Sequence, residues 1–229
     1  HRLIADPTML ADFPLIGFPG GFSYGDDIAA GRIFAQQIVH HLHDAVRDFV
    51  HAGKPVIGIC NGFQVLLQTG LLPGGASEAG CCTLTYNVGG SFVSRWVEMR
   101  CDSDKCVWTR SLQNGGRIRM PMAHGEGRFL TRDAATLATL NANHQVVLRY
   151  VAPDVSPDMP ANPNGSEEDV AGICDETGLV FGLMPHPERF LFPENDPAWT
   201  RRDDRPDHGD GLQIFQNAVA YVGGGVGAR

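Results

Sequence analysis

Gly58-Ile59-Cys60-Asn61-Gly62 constrains this chain more than any other stretch. The β-branched pair Val56-Ile57 leads into it, and Phe63-Gln64-Val65-Leu66-Leu67-Gln68 leads out with helical periodicity. The segment therefore reads as strand, sharp turn and helix, with a cysteine at the apex. G-x-C-x-G is the thiol version of a nucleophile elbow. Its glycines are needed because the turn is tight and the backbones on either side pass close together. The helix that follows points a positive N-terminus at the sulfur and favours the thiolate, the form that attacks. The competing reading, a buried cysteine closing a core strand, leaves the two glycines unexplained.

The chain has 229 residues, 43% hydrophobic and 19% charged, enough for one sizeable α/β domain. A net charge of −8 with no Lys/Arg cluster argues against a nucleic-acid face. No apolar run reaches the length of a membrane span, and no signal peptide is visible. The first residue is His1 rather than Met, so a processed or truncated fragment is expected. The cysteines Cys60, Cys81, Cys82, Cys101, Cys106 and Cys174 form no C-x-x-C pair and no regular framework. Free thiols and a cytoplasmic location are the expectation. A zinc site at Cys101 and Cys106 is disfavoured by their spacing, and no metal site is expected.

Leu15–Phe18 reads as a short buried strand closed by Pro19-Gly20-Gly21. Ala29–Ala52 carries Ile33, Phe34, Ile38, Leu42, Val46 and Phe49 on one helical face, and Gly53 is placed to end it. Within it, the spacing of His40, His41, His43 and His51 points to a solvated surface. Pro55–Ile59 is the strand before the elbow, whose helix runs to about Thr69. Further strands are expected near Cys82–Tyr86, Phe92–Met99, Arg117–Met122 and Val146–Val151, with a helix over Thr131–Leu140. Val170–Cys174 and Leu179–Met184 read as a hairpin or paired strands. Ala152–Ser166 and Pro193–Asp210 are loops, Leu212–Tyr221 is a last helix, and Gly223-Gly224-Gly225 should fray. Alternation of strand and helix at the front implies parallel crossovers. The later strands lack intervening helices, so the sheet should be mixed.

A catalytic thiol needs a base and a group that orients the base. Two histidines qualify, each followed two residues on by glutamate: His124-Gly125-Glu126 and His186-Pro187-Glu188. In an extended segment, residues two apart face the same side, so either pair can join imidazole to carboxylate. Pro187 restricts His186 to an extended backbone at the end of an apolar strand, where open α/β sheets place their sites. Gly125 reads as part of a flexible loop. That contrast favours His186 and Glu188 without removing the other pair. The backbone amide of Asn61 is one expected oxyanion donor, and Pro19-Gly20-Gly21 is the candidate for the second.

With these pieces in place, the chain resembles the class I (triad) glutamine amidotransferases. The elbow and Met184-Pro185-His186-Pro187-Glu188-Arg189 carry the resemblance to the class. The runs Pro19-Gly20-Gly21-Phe22-Ser23-Tyr24-Gly25-Asp26, His124-Gly125-Glu126-Gly127-Arg128-Phe129 and Asn162-Pro163-Asn164-Gly165-Ser166 point to the branch that serves purine synthesis. The resemblance implies a flavodoxin-like α/β fold, with a mostly parallel central sheet, helices on both faces and extra antiparallel strands. It implies a single domain over 1–229 that lacks the family's N-terminal strand segment. It also assigns the triad to Cys60, His186 and Glu188, and the oxyanion hole to Gly21 and Asn61. Gln64, Gly20, Phe22 and His124 fall at substrate-binding positions. The implied reaction is hydrolysis of glutamine to glutamate and ammonia. The ammonia would pass to a synthetase subunit that aminates formylglycinamide ribonucleotide, with a small bridging subunit as a further partner. ATP and magnesium would belong to the synthetase, because this chain has no G-x-x-x-x-G-K-[ST] loop. Two other readings compete. A cysteine hydrolase of α/β-hydrolase type places its acid before the histidine, whereas Glu188 follows His186. A non-catalytic amidotransferase-like regulator has no need of an intact triad.

Overall fold

The computed structural model describes residues 2–26, 31–74, 80–112, 114–153, 160–201 and 206–224. A short helix α1 (Arg2–Ala5) and a 3-10 turn precede strand β1 (Ile16–Phe18). Helices α2 (Arg32–His41) and α3 (His43–His51) lead to β2 (Val56–Ile59) and the elbow helix α4 (Asn61–Gln68). Strands β3 (Cys82–Tyr86), β4 (Val93–Cys101), β5 (Arg117–His124) and β6 (Glu126–Thr131) follow. The chain continues through α5 (Ala134–Ala142), β7 (Val146–Val151), β8 (Val170–Cys174), β9 (Val180–Leu183) and α6 (Leu212–Gly223).

Seven strands form one sheet in the order β1-β2-β9-β8-β7-β4-β5, and β3 pairs with β6 in a separate ribbon. β1, β2 and β9 are parallel neighbours, and every remaining pairing in the sheet is antiparallel. Strands β1, β2, β9, β7 and β5 therefore point one way, and β8 and β4 the other. β2, β8 and β9 are buried along their whole length, as the unbroken apolar runs in their sequences require. β8 and β9 are the antiparallel pair expected of Val170–Cys174 and Leu179–Met184.

The elbow is a packing device as well as a turn. A Cβ on Gly58 would lie 2.5 Å from Leu66 Cδ1 and 2.6 Å from the Gly62 carbonyl oxygen. A Cβ on Gly62 would collide with the Phe18 carbonyl of β1. Bare backbone at both positions lets α4 sit directly on β1 and β2. Val65, Leu66 and Leu67 are then buried beneath it.

Three expectations change. The helix expected over Ala29–Ala52 bends at Leu42, whose φ of −132° takes it out of helical geometry. The bend keeps both pieces on the core: Ala35 and Ile38 are buried before it, Val46 and Phe49 after it. Gly53 ends the second piece with a φ of +78°, as expected of a C-terminal glycine. The start of the expected helix, Ala29 and Ala30, lies outside the described residues. Secondly, β6 is a strand that periodicity did not reveal, and it takes in Thr131, so the helix expected over Thr131–Leu140 is Ala134–Ala142, capped by Asp133. Only Gly127 and Phe129 bury, and a glycine at one of the two buried positions hides the alternation. Thirdly, α6 runs to Gly223, past the expected end at Tyr221. Gly225 lies outside the described residues. His40, His41 and His51 are exposed, while His43 Nε2 lies 3.2 Å from the Thr69 carbonyl oxygen. Among the described residues, no helix is long and apolar enough to cross a membrane.

Gly62→Ala should lower the unfolding free energy by about 3 kcal/mol, because the added carbon has no space between α4 and β1. Thermal or urea unfolding beside Gly125→Ala, whose Cβ would meet only Phe92 at 3.8 Å, checks this.

Candidate active site

The parts of the site come from the carboxyl ends of strands that point the same way. β1 ends into Gly20 and Gly21, β2 into Cys60, β9 into His186, and β5 at His124. β5 lies at the far edge of the sheet, yet the sheet curls enough to bring it back. The Pro121 carbonyl accepts a 2.8 Å hydrogen bond from the His186 amide, and Cys60 Sγ lies 3.9 Å from the Ala123 carbonyl oxygen.

Cys60 takes φ +52° and ψ −106°, a left-handed backbone that a residue with a side chain rarely adopts. The neighbouring elements hold it there. Its amide donates to Leu183 of β9 at 2.8 Å, and its carbonyl accepts from Gln64 in the first turn of α4. The sulfur thus stands at the positive end of α4. All six cysteines are free and buried, and Cys101 Sγ donates to the Ser103 carbonyl at 3.2 Å. Among the described residues, no three His, Cys, Asp or Glu side chains gather where they could hold a metal ion.

His186 meets Glu188 at 2.6 Å through Nδ1 and Oε1. A carboxylate only accepts, so Nδ1–H is the donor and Nε2 is left for another partner. Nε2 makes no hydrogen bond within normal geometry to a described residue, and Cys60 is close enough to act on the imidazole. Burial alone would push the His186 pKa down. The Cys60 sulfur and then the Glu188 carboxylate outweigh that and raise it to about 9. His186 itself is extended, at φ −108°, as the proline after it dictates. The carboxylate reaches the ring differently from expectation: Pro187–Arg189 form a 3-10 turn, not an extended step.

The second histidine–glutamate pair makes no such contact. His124 is 4% exposed, and neither ring nitrogen has a hydrogen-bond partner among the described residues. Burial, followed by repulsion from His186, lowers its pKa to about 4, so the ring is neutral at pH 7. The Glu126 main chain instead accepts from Gln64 Nε2 at 2.6 Å. The segment is also not the flexible loop expected. Asn87 Nδ2 donates to the His124 carbonyl at 2.8 Å, the Gly125 carbonyl accepts from the Asn87 amide, and Asn164 Nδ2 donates to the Gly127 carbonyl at 2.8 Å. Buried asparagines clamp both sides of Gly125.

A cavity of about 430 Å³ opens over Cys60 and His186, with Gly21, Phe22, Gln64 and His124 in its walls. Gly21 has φ +117°, a backbone that glycine adopts without cost. Gly20 lies between nucleophile and base: a Cβ there would be 2.8 Å from His186 Cε1 and 3.3 Å from Cys60 Cβ. Ser23 Oγ donates to Asn61 Oδ1 at 2.6 Å, and Asn61 Nδ2 donates to Gln64 Oε1 at 3.2 Å. These side chains tie the β1 turn, the elbow and the β6 strand together. Phe92, Ala123, Glu126 and Arg189 also line the cavity, although sequence reasoning gave none of them a binding role. Arg189 adjoins Glu188 in the same motif, which is the one signal that marks it.

Residues 1–222 match the CobB/CobQ-like glutamine amidotransferase domain family. The chain is 40% identical to phosphoribosylformylglycinamidine synthase subunit PurQ of Methanococcus maripaludis, covering 96% of this chain and 85% of that one. It is 45% identical to the protein of the same name from Treponema denticola, over 82% of this chain and 75% of the other. Among solved structures, it resembles a chain of PurLQS from Thermotoga maritima with a TM-score of 0.69 and 35% identity, over 92% of this chain and 81% of that one.

The two imidazoles respond oppositely to pH. His186 binds its proton more tightly folded than unfolded, so its stabilisation is complete below about pH 6.5 and is lost as pH rises through about 9. Glu188→Gln removes a stabilising charge and should lower that pKa, as read from the imidazole ¹H–¹⁵N signals. His124 shows the reverse. The unfolded chain takes up the proton first, so stability should fall between pH 6.5 and about 4. The loss is on the order of 3 kcal/mol by pH 4, and His124→Phe should flatten that part of the urea-unfolding profile.

Proposed function

The chain belongs to the CobB/CobQ-like glutamine amidotransferase family, and from that premise we propose that it is the glutaminase subunit of a phosphoribosylformylglycinamidine synthase. The observation that carries the chemistry is the 2.6 Å contact of His186 with Glu188 beside Cys60, at the cavity the converging strands leave open. The similarity to subunits named PurQ narrows the reaction to that synthase.

In this reading the Cys60 thiolate attacks the side-chain amide carbon of glutamine. The carbon–sulfur bond forms as the carbonyl oxygen takes negative charge, which the amides of Asn61 and Gly21 receive. His186 gives its proton to the departing nitrogen, and the carbon–nitrogen bond breaks to release ammonia. A water then attacks the thioester while His186 takes its proton. Collapse of that second intermediate frees glutamate and restores the thiolate. Glu188 holds the imidazole in the Nδ1–H tautomer and stabilises its charged form. Gln64 and Asn61 brace the elbow against β6, and Gly20 leaves the space in which thiol and imidazole meet.

The ammonia would pass to a synthetase partner that converts formylglycinamide ribonucleotide to formylglycinamidine ribonucleotide, ATP and magnesium being the partner's. The likeness to a chain of the Thermotoga maritima structure named PurLQS supports an assembly of several subunits.

In the complex with its synthetase, Cys60→Ala should lower glutamine-dependent synthesis by about 10³-fold or more, with synthesis from ammonium chloride unchanged. Steady-state assay with each nitrogen donor measures both. Glutamine-dependent turnover retained by the variant would overturn the assignment of the nucleophile.

A further inference from the structure

The glutaminase steps leave the His124 imidazole without a part. Four buried side-chain nitrogens of the described residues have no hydrogen-bond partner, and two of them belong to the His124 ring. The other two have accounts. Cys60 acts on the His186 ring, and the Arg95 guanidinium donates to the Pro160 carbonyl at 2.6 Å. Nothing comparable serves His124, yet its ring is held in place. A Cβ on Gly127 would come within 2.2 Å of Cε1 and 2.5 Å of Nε2, so bare backbone lies against the ring. The Asn87 side chain fixes the His124 carbonyl, and the ring borders the cavity over Cys60. A buried donor and acceptor left unmade are costly, and folded proteins keep them where a small molecule completes the bonds.

We propose that the His124 ring is the first stop of the released ammonia, holding it uncharged by hydrogen bonds on its way to the synthetase, a role that rests on the glutaminase reading. A neutral imidazole presents one bare nitrogen, which accepts, and one N–H, which donates. Ammonia supplies the complement of both, N–H bonds and a lone pair. Ammonium does not fit. It has no lone pair for the ring N–H, and the burial and His186 repulsion that keep a proton off His124 oppose any second cation there. Position agrees with the role. His124 follows Ala123, whose carbonyl oxygen lies 3.9 Å from Cys60 Sγ, and it lies within electrostatic reach of His186, the proton donor to the departing nitrogen. No covalent bond forms or breaks at His124; the proton that His186 gives stays with the ammonia. In open water at pH 7 ammonia is almost entirely protonated and is lost as a nucleophile. A buried, neutral site beside the sulfur preserves the lone pair that the synthetase reaction uses.

The test measures delivery rather than hydrolysis. The full complex with its synthetase is supplied with L-glutamine, and glutamate and formylglycinamidine ribonucleotide are quantified in the same reaction. The readout is glutamate formed per product, a ratio that a residue serving only to bind glutamine does not move. His124→Phe should raise it by roughly two- to tenfold, the weight of one lost hydrogen bond in the competition between delivery and escape. His124→Gln, which keeps a side-chain donor and acceptor, should stay near the parent. Thermal unfolding checks each variant, and His124→Leu, smaller than the ring it replaces, repeats the measurement where the phenylalanine variant folds poorly. An unchanged ratio in the apolar variants, even with a raised KM for glutamine, would overturn the proposal. An equal rise in His124→Gln would overturn it as well, since shape and not hydrogen bonding would then be at work. A parent complex unable to hydrolyse glutamine would overturn the glutaminase reading instead.

Discussion

Helix α4 can rest on β1 and β2 only because Gly58 and Gly62 carry no side chains. The contact does three things at once. It buries the apolar face of the helix, forces Cys60 into its left-handed backbone, and aims the helix N-terminus at the sulfur. Strain at Cys60 costs on the order of 1–3 kcal/mol and persists because the hydrogen bond to Leu183 and the helix behind it fix both sides of the turn. Every other part of the site is arranged relative to that apex.

The opposite wall is built by polar contacts. β5 and β6 belong to different sheets, and Gly125 joins them where neither ladder can reach. The Asn87 amide donates to the Gly125 carbonyl, and the side chains of Asn87 and Asn164 donate to the His124 and Gly127 carbonyls on either side. Asn164 is braced in turn by Ser166, whose hydroxyl donates to its side-chain oxygen at 2.8 Å. The Asn162–Ser166 run, distant in sequence, therefore acts as a support for the cavity wall. Curling of the sheet then brings Pro121 within 2.8 Å of the His186 amide and closes the site.

Electrostatically, the site holds two buried imidazoles in opposite states. His186 gains a proton-binding advantage from the sulfur and Glu188, while His124 loses its own to burial and to the neighbouring charge. In the proposed reaction, one cationic ring beside Cys60 holds the proton that the departing nitrogen takes. A second would add repulsion inside a closed space, and burial, followed by repulsion from His186, keeps His124 neutral.

What the sequence determined by itself was local. The elbow, the proline-stiffened histidine, and the strands whose apolar runs are buried on both faces could all be read from neighbouring residues. Turn sterics, proline geometry and burial patterning act over a few positions. Tertiary structure decided the rest. It gave His186 and not His124 a carboxylate at 2.6 Å, paired β6 with β3, clamped the segment around Gly125, and turned Glu126 and Arg189 toward one cavity. Each of these depends on groups far apart in the chain. Their distance from one another is set by how the sheet curls and how α4 packs, and no local pattern of residues encodes that.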